Sequence, residues 1–490
     1  MQALLFSSEG VADIHGKADQ YTRATGTYRV AQLIRNFGID VNVVDFLQHW
    51  SEEEIYNFLK NQANNNIKIV GLNTTFLNDS FSKNFLFVIK QIFPDAKIIA
   101  GGQNPFVNNL YADYYVSGFA EKAINAIINH ILYDKHIVAK KHFDGLLIDA
   151  VWGEYAAFPM KDYRTRFHES DVITSTDVTT IELSRGCKFA CKYCSYPYIG
   201  NKIKNHRSFT NIRDELIENY ERWGLTNYII ADDTLNESTD KLELLVKSVK
   251  GLSFKPTFAS FVRLDLMRSH PEHIKLLAEA RVLYHYYGVE TFNHAAGKII
   301  GKGLDPKYNK QTLLNTYNHF MDTVDDYTGT VGMIIGLPEE SVESVEESYN
   351  WLKDEWYKRK QSVRWWPLII PNDTLKLSAF GVELEKYKYI KLKDNEDDKL
   401  KNDILENPYF QQYYHKTSET PVLWKNNHMN FFKAVELADE YSKIWFNIPD
   451  NYNSLQLHAN NYTKNNFDPY KFYDFIRHKA NQYKEVKCSQ

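Results

Sequence analysis

Three of the chain's 4 cysteines fall within one short segment, Ser184-Arg185-Gly186-Cys187-Lys188-Phe189-Ala190-Cys191-Lys192-Tyr193-Cys194-Ser195. Scattered pairs would indicate disulfides, whereas this C-x3-C-x2-C bunching indicates a metal or cluster in a reducing cytoplasm. Three thiolates can hold three irons of a four-iron cubane and leave the fourth iron open. An open metal position is what catalysis needs and a purely structural site lacks. Tetrahedral zinc is the alternative, and it requires a fourth ligand such as His206 or the distant Cys488.

The loop needs elements to present it. It follows a strand read at Val178–Leu183, and barrels carry their chemistry on the loops that leave their strands. Five more strands are expected at Asn227–Ala231, Pro256–Phe261, Val282–Gly288, Gly329–Ile335 and Ser362–Ile370. Helices fit between them at about 210–223, 238–250, 270–280, 308–325 and 340–358. Residues 177–375 are too few for an eight-unit barrel of about 250 residues, so an open partial (β/α)6 barrel is expected. Residues 1–145 alternate in the same way. Strands are read at Ala3–Phe6, Val41–Val44, Ile67–Leu72, Lys97–Ala100 and Tyr114–Val116. Helices are read at Tyr21–Phe37, from Ser51, at Ser80–Ile92 and from Glu121. The expected fold class is therefore α/β: a Rossmann-like (flavodoxin-like) parallel sheet, then the barrel. Such sheets bind ligands beyond the carboxyl ends of their strands, where Ser7, Thr74, Gly102 and Gly118 stand. Residues 146–176 read as a linker. Residues 376–490 read as a mainly helical accessory region, with a solvated charged run at 391–399 and an amphipathic helix at Met429–Phe446.

Composition narrows the class. The 490 residues carry 58 Lys+Arg against 62 Asp+Glu, a net charge of -4, which gives no global drive toward nucleic acid or acidic membranes. Hydrophobic residues at 43% and charged residues at 24% are ordinary for a globular chain. No run approaches 18 apolar residues and no secretory signal is visible, so a cytoplasmic protein without a membrane partner is expected.

The cysteine segment closely resembles the signature of the radical S-adenosylmethionine (radical SAM) superfamily. The resemblance implies a 4Fe-4S cluster held by Cys187, Cys191 and Cys194, whose open iron chelates S-adenosyl-L-methionine. It also implies reductive cleavage of SAM to a 5'-deoxyadenosyl radical, with a reductant such as flavodoxin or ferredoxin. Tyr193 occupies the place of the family's adenine-contacting aromatic. Further stations follow in order. Asp232 and Asp233 resemble the motif that binds the SAM ammonium, with a helix N-cap by Asp233 as the alternative. Arg263 suits the SAM carboxylate, with a structural pair to Asp265 as the alternative. Glu290 matches a ribose- or carboxylate-binding place, or else is a helix-start charge. Gly332-Met333-Ile334-Ile335-Gly336-Leu337-Pro338-Glu339 fits the family's G-x-I-x-G-x-x-E adenine motif, where Gly332, Ile334 and Gly336 let a flat base approach the backbone; a tight turn before Pro338 is the alternative.

A parallel α/β domain ahead of this barrel resembles the cobalamin-binding class of the superfamily. Thr25-Gly26-Thr27-Tyr28-Arg29, Ile99-Ala100-Gly101-Gly102 and Gly118-Phe119-Ala120-Glu121 carry that likeness. The D-x-H-x-x-G motif of His-ligated cobalamin proteins is absent: Asp13-Ile14-His15-Gly16 begins similarly, but its glycine falls two places early. The resemblance implies cobalamin near Ser7, Thr74, Gly102 and Gly118, and methyl transfer to an unactivated carbon. The alternatives are a radical SAM cyclase or oxidoreductase that uses no methylcobalamin, and a non-catalytic cluster or cobalamin sensor. The substrate is unknown from sequence.

Overall fold

The computed structural model describes all residues except 9–20, 24, 76–78, 103–110, 152, 157–159, 195–205, 304, 371–377, 393–421, 465–466 and 490. The Asp13–Gly16 segment and most of the 391–399 run lie outside the described residues. The chain divides into two compact units, Met1–Thr180 with Tyr470–Gln490, and Ile181–Pro469. No helix among the described residues is long and apolar enough to cross a membrane.

The first unit is built on a seven-stranded sheet. Its strands are β1 (Gln2–Phe6), β3 (Asp40–Val44), β4 (Ile67–Asn73), β5 (Lys97–Gly102), β6 (Tyr114–Gly118), β7 (Lys140–His142) and β8 (Gly145–Ala150). The order is β3-β1-β4-β5-β6-β8-β7, and every neighbouring pair is parallel except the β7–β8 hairpin. The central strands read as continuous apolar runs because helices bury both faces. Leu4, Val43, Ile69, Ile98 and Tyr115 are all within 2% of full burial. The expectation that 146–176 is only a linker is corrected here. Gly145–Ala150 is a mostly apolar run that pairs in parallel with β6.

A second correction concerns the expected helix at Tyr21–Phe37. Thr22–Arg23 is extended as β2 and pairs in parallel with Val178 and Thr179 of β9 (Val178–Ile181); the helix itself runs Thr25–Arg35. A buried cation holds this arrangement. The Arg23 guanidinium meets Asp177 at 2.8 Å and lies 4.9 Å from the Phe46 and Tyr483 ring centroids. Tyr483 sits on the helix Pro469–Ser489, and Tyr470–Gln490 belongs to this unit rather than to an accessory region. Its hydroxyl accepts from the Asp45 N–H at 2.9 Å.

The second unit is the open barrel. Its strands are the end of β9, β10 (Asn227–Ile230), β11 (Thr257–Val262), β12 (Val282–Glu290), β13 (Thr328–Ile335) and β14 (Ser362–Pro367). They lie in chain order, parallel from β10 to β14. Helices at Phe209–Trp223, Thr239–Val249, Glu272–Glu279, Pro306–Thr323 and Val342–Trp351 follow the strands, with two short helices, Leu264–Ser269 and His294–Ile300, that the sequence reading lacks. The register places Ile229, Ala259, Phe261, Tyr286, Gly288, Thr330, Gly332, Ile334, Arg364 and Trp366 on one face. Helix Asn451–Ala459 packs on this inner face: the Asn451 N–H donates to the Thr330 hydroxyl at 2.8 Å, and the Thr328 hydroxyl meets Ser454 at 2.9 Å. That packing explains why this short helix is buried nearly all round. It fills the barrel against the strands from β10 to β13.

Candidate active site

The cysteine loop leaves β9 and is fixed at both ends. At its start, the Asp232 carboxylate accepts from the Leu183 N–H at 2.7 Å and the Ser184 hydroxyl at 2.8 Å. Lys241, buried on the helix Thr239–Val249, neutralises Asp232 at 2.6 Å. Asp232 is thus a buried group, engaged on both oxygens by the loop and by Lys241, that shapes the loop. Asp233 is only half-buried. Its charge lies close enough to Cys187 to push that thiol upward, after burial, which is the largest cause. The N-cap alternative for Asp233 fails, since Ser238 caps the following helix.

At the loop's other end, the Tyr193 hydroxyl donates to Glu290 Oε1 at 2.8 Å, and Lys302 Nζ meets the same oxygen at 2.8 Å. Glu290 has a left-handed φ of 68°, which turns its carboxylate back beneath Gly288; a Cβ on Gly288 would lie 2.8 Å from Glu290 Oε1 and 2.9 Å from Lys302 Nζ. The latch thus occupies the space a side chain at 288 would take. The helix-start reading of Glu290 is replaced by this three-residue latch. Burial is the largest cause of the rise in the Tyr193 hydroxyl pKa, with Glu290 adding to it, so the hydroxyl stays a donor.

None of the three loop cysteines is in a disulfide, and all three are half-buried. Cys187 Sγ lies 3.9 Å from the Thr234 hydroxyl. Arg263 Nη1 donates to Cys191 Sγ at 3.3 Å, while its Nε and Nη2 grip Asp265 at 3.0 and 2.6 Å. The geometry is that of the structural pair with Asp265, a bidentate one that leaves the third nitrogen facing the sulfur. The same guanidinium stacks 3.9 Å from the Phe189 centroid. Three reduced thiols under a fixed cation suit an anionic iron–sulfur cluster. His206, a candidate fourth zinc ligand, faces Glu237 at 3.4 Å instead, and Cys488 belongs to the first unit.

The glycine motif at the end of β13 is packed by aromatic side chains. A Cβ on Gly332 would fall 2.5–2.8 Å from the Tyr286 ring, and one on Gly336, at φ +101°, would enter the Trp424 indole. Ile334 is the half-buried residue between them, on the inner face. The motif's acid also differs in register. Glu339 turns outward to Lys388 at 2.6 Å, whereas Glu340 is buried and accepts from the Thr291 hydroxyl at 2.6 Å. Burial pushes its carboxyl up to about 8, against hydrogen bonds from Thr291 and the Gly336 and Leu337 backbone. Glu340, Lys241 and Lys302 are the functional-site residues that spacing missed. The inner face shows Phe261, 39% exposed, with half-buried Tyr286, Arg364 and Trp366. Phe261 and Tyr286 lie 5.0 Å apart. The signal for this wall was period-two alternation among strand aromatics.

In the first unit, the four expected ligand-facing positions divide. Ser7 is fully buried and donates to Asp45 at 2.7 Å; the Thr74 N–H and hydroxyl both meet the Gly101 carbonyl, at 2.8 and 3.1 Å. Gly102 and Gly118 have φ of +135° and +97°. A Cβ on Gly102 would meet Thr75 Oγ1 at 2.7 Å, and one on Gly118 the Ala150 backbone at 2.7 Å. Packing within the unit therefore accounts for these glycines, and the two hydroxyls are not turned toward a ligand.

Residues 181–352 match the Radical SAM superfamily model. A curated relative, the tRNA-2-methylthio-N(6)-dimethylallyladenosine synthase of Clostridium botulinum (strain Alaska E43 / Type E3), is 21% identical over 239 residues, 43% of this chain and 50% of the relative. The match thus spans about half the length of that protein. Among solved structures, the radical S-adenosylmethionine methyltransferase TsrM from Kitasatospora setae, with tryptophan substrate and a SAM analogue bound, superposes with a TM-score of 0.67 at 13% identity, over 98% of this chain and 99% of that one. The cobalamin-dependent S-adenosylmethionine radical enzyme OxsB gives a TM-score of 0.55 at 16% identity, over 90% of this chain and 61% of that one. At such identities the likeness is one of fold. Residues 181–352, which carry the cysteine loop, are a radical SAM superfamily domain.

Proposed function

We propose that this chain is a radical SAM enzyme of the cobalamin-dependent methyltransferase type, acting on an unactivated carbon. The observation that carries the first half is the Cys187–Cys191–Cys194 loop with Arg263 Nη1 on Cys191. The second half is supported by the full-length fold likeness to a methyltransferase. A 4Fe-4S cluster with SAM, once reduced, supplies a 5'-deoxyadenosyl radical, and cobalamin supplies a methyl group. The chain's own residues bind and orient. The three thiolates hold the cluster, and Arg263 places positive charge beside them. Asp233, beside Cys187, is the acid suited to the SAM ammonium, with Asp232 engaged by the loop and by Lys241. The Tyr193–Glu290–Lys302 latch keeps the loop closed over its strand ends. Phe261, Tyr286 and Trp366 offer flat apolar surface to a substrate with a planar group.

The hydroxyls of Ser7 and Thr74 are engaged within the first unit, so these two side chains do not serve as cobalamin contacts. The same observation favours a second reading, a radical SAM cyclase or oxidoreductase that uses no methylcobalamin. Anaerobically reconstituted protein separates the two: hydroxocobalamin uptake near one equivalent with SAM-derived methyl transfer supports the first, and SAM turnover without cobalamin uptake supports the second. Absence of SAM turnover under reducing conditions would refute both.

A further inference from the structure

Among the described residues, one group of three side chains is placed to hold a metal ion away from the cysteine loop. It consists of His270, Glu272 and His273, each offering one ligand atom within 4.8 Å of the other two. The group sits where the short helix Leu264–Ser269 ends and the helix Glu272–Glu279 begins. His270 Nδ1 lies 3.3 Å from Glu272 Oε1. The two imidazoles stack with centroids 5.0 Å apart and planes within 17°.

His273 distinguishes this group from an exposed ion pair. It is fully buried, and its Nδ1 has no hydrogen-bond partner. Its Nε2 meets the Thr239 hydroxyl at 3.0 Å, and that hydroxyl lies 3.4 Å from Glu272 Oε1. A buried ring nitrogen without a partner is costly unless something supplies one. A hydroxyl partner on one ring nitrogen is the usual device that fixes the tautomer of a metal-ligating histidine.

We propose that His270, Glu272 and His273 form a divalent-cation site of the zinc class, completed by solvent. Two imidazoles and one carboxylate are a common zinc donor set, and zinc's indifference to geometry suits ligands that must close in by small rotamer changes. Two of the three are half exposed, at 51% each, which gives an ion an entry path. The site would tie down the far end of the helix that opens at Arg263, the residue donating to Cys191.

The test uses the full chain with its cluster assembled, so that iron occupies the cysteines. Zinc is titrated against a chromophoric chelator in the wild type and in a His270→Asn/Glu272→Gln double variant. The exposure of both replaced side chains leaves the fold intact. The expected result is one more zinc bound by the wild type than by the variant, with at least a tenfold loss of affinity in the variant and unchanged iron content. Cobalt in place of zinc should give ligand-field bands without thiolate charge transfer in the wild type, and these should vanish in the variant. Equal zinc binding by the two proteins, or cobalt bands of thiolate character only, would overturn the proposal.

Discussion

Ser7 and Cys187 each lie in a segment leaving the carboxyl end of a parallel strand, and they are used in opposite ways. In the first unit the polar groups at the strand ends are consumed internally: Ser7 by Asp45 and Thr74 by Gly101. In the second unit the supporting polar groups are consumed, such as Asp232 by Lys241 and Glu290 by Lys302. The thiols they hold in place stay out of disulfides and half-buried. Topology thus supplies a place for chemistry, and only the local pairing of charges decides whether that place is kept open.

The contrast is sharpest where a supporting charge is removed. Lys241→Met leaves the buried Asp232 carboxylate without its cation, and should cost about 3–5 kcal/mol, read as a lower midpoint in denaturant and as weakened cluster retention. Next comes Gly336→Ala. It puts a Cβ into the Trp424 ring at a left-handed φ, and should cost about 2–3 kcal/mol without altering iron content.

Glu340→Gln probes a buried group that the sequence motif had assigned one residue early. Because its folded pKa is raised to about 8, the folded state keeps a proton that the unfolded state releases above its ordinary value of 4.5. Stability therefore falls between pH 4.5 and 8, on the order of 1 kcal/mol per pH unit. The Gln variant should lose that slope in thermal melts from pH 5.5 to 7.5. The smallest effect is expected for Ser7→Ala: about 1 kcal/mol of stability and no change in hydroxocobalamin uptake. A large fall in uptake would return Ser7 to the ligand-facing group.

The sequence made the repeating strands legible because buried parallel strands are apolar runs bounded by turns. It hid β7 and β8, since Lys140-Lys141-His142 has no apolar pattern, and it hid the extended Thr22–Arg23, which the pairing with β9 and the buried Arg23–Asp177 contact impose from 154 residues away. Cys187, Cys191 and Cys194 were legible because their chemistry lies in local spacing. Lys241 and Lys302 were not, because a salt bridge formed across elements leaves no periodic trace. Arg263 was half legible: its spacing to Asp265 showed the pair, and only the structure shows the free nitrogen on Cys191.

The central claim is that this loop holds a cluster with one iron open to SAM. Anaerobic reconstitution with iron-57, followed by Mössbauer spectra with and without SAM, tests it most directly. The account predicts a single four-iron cluster per chain in which one iron site changes when SAM is added, and no cluster in Cys191→Ala. Stoichiometric zinc with no iron uptake, or a four-iron spectrum indifferent to SAM, would contradict it.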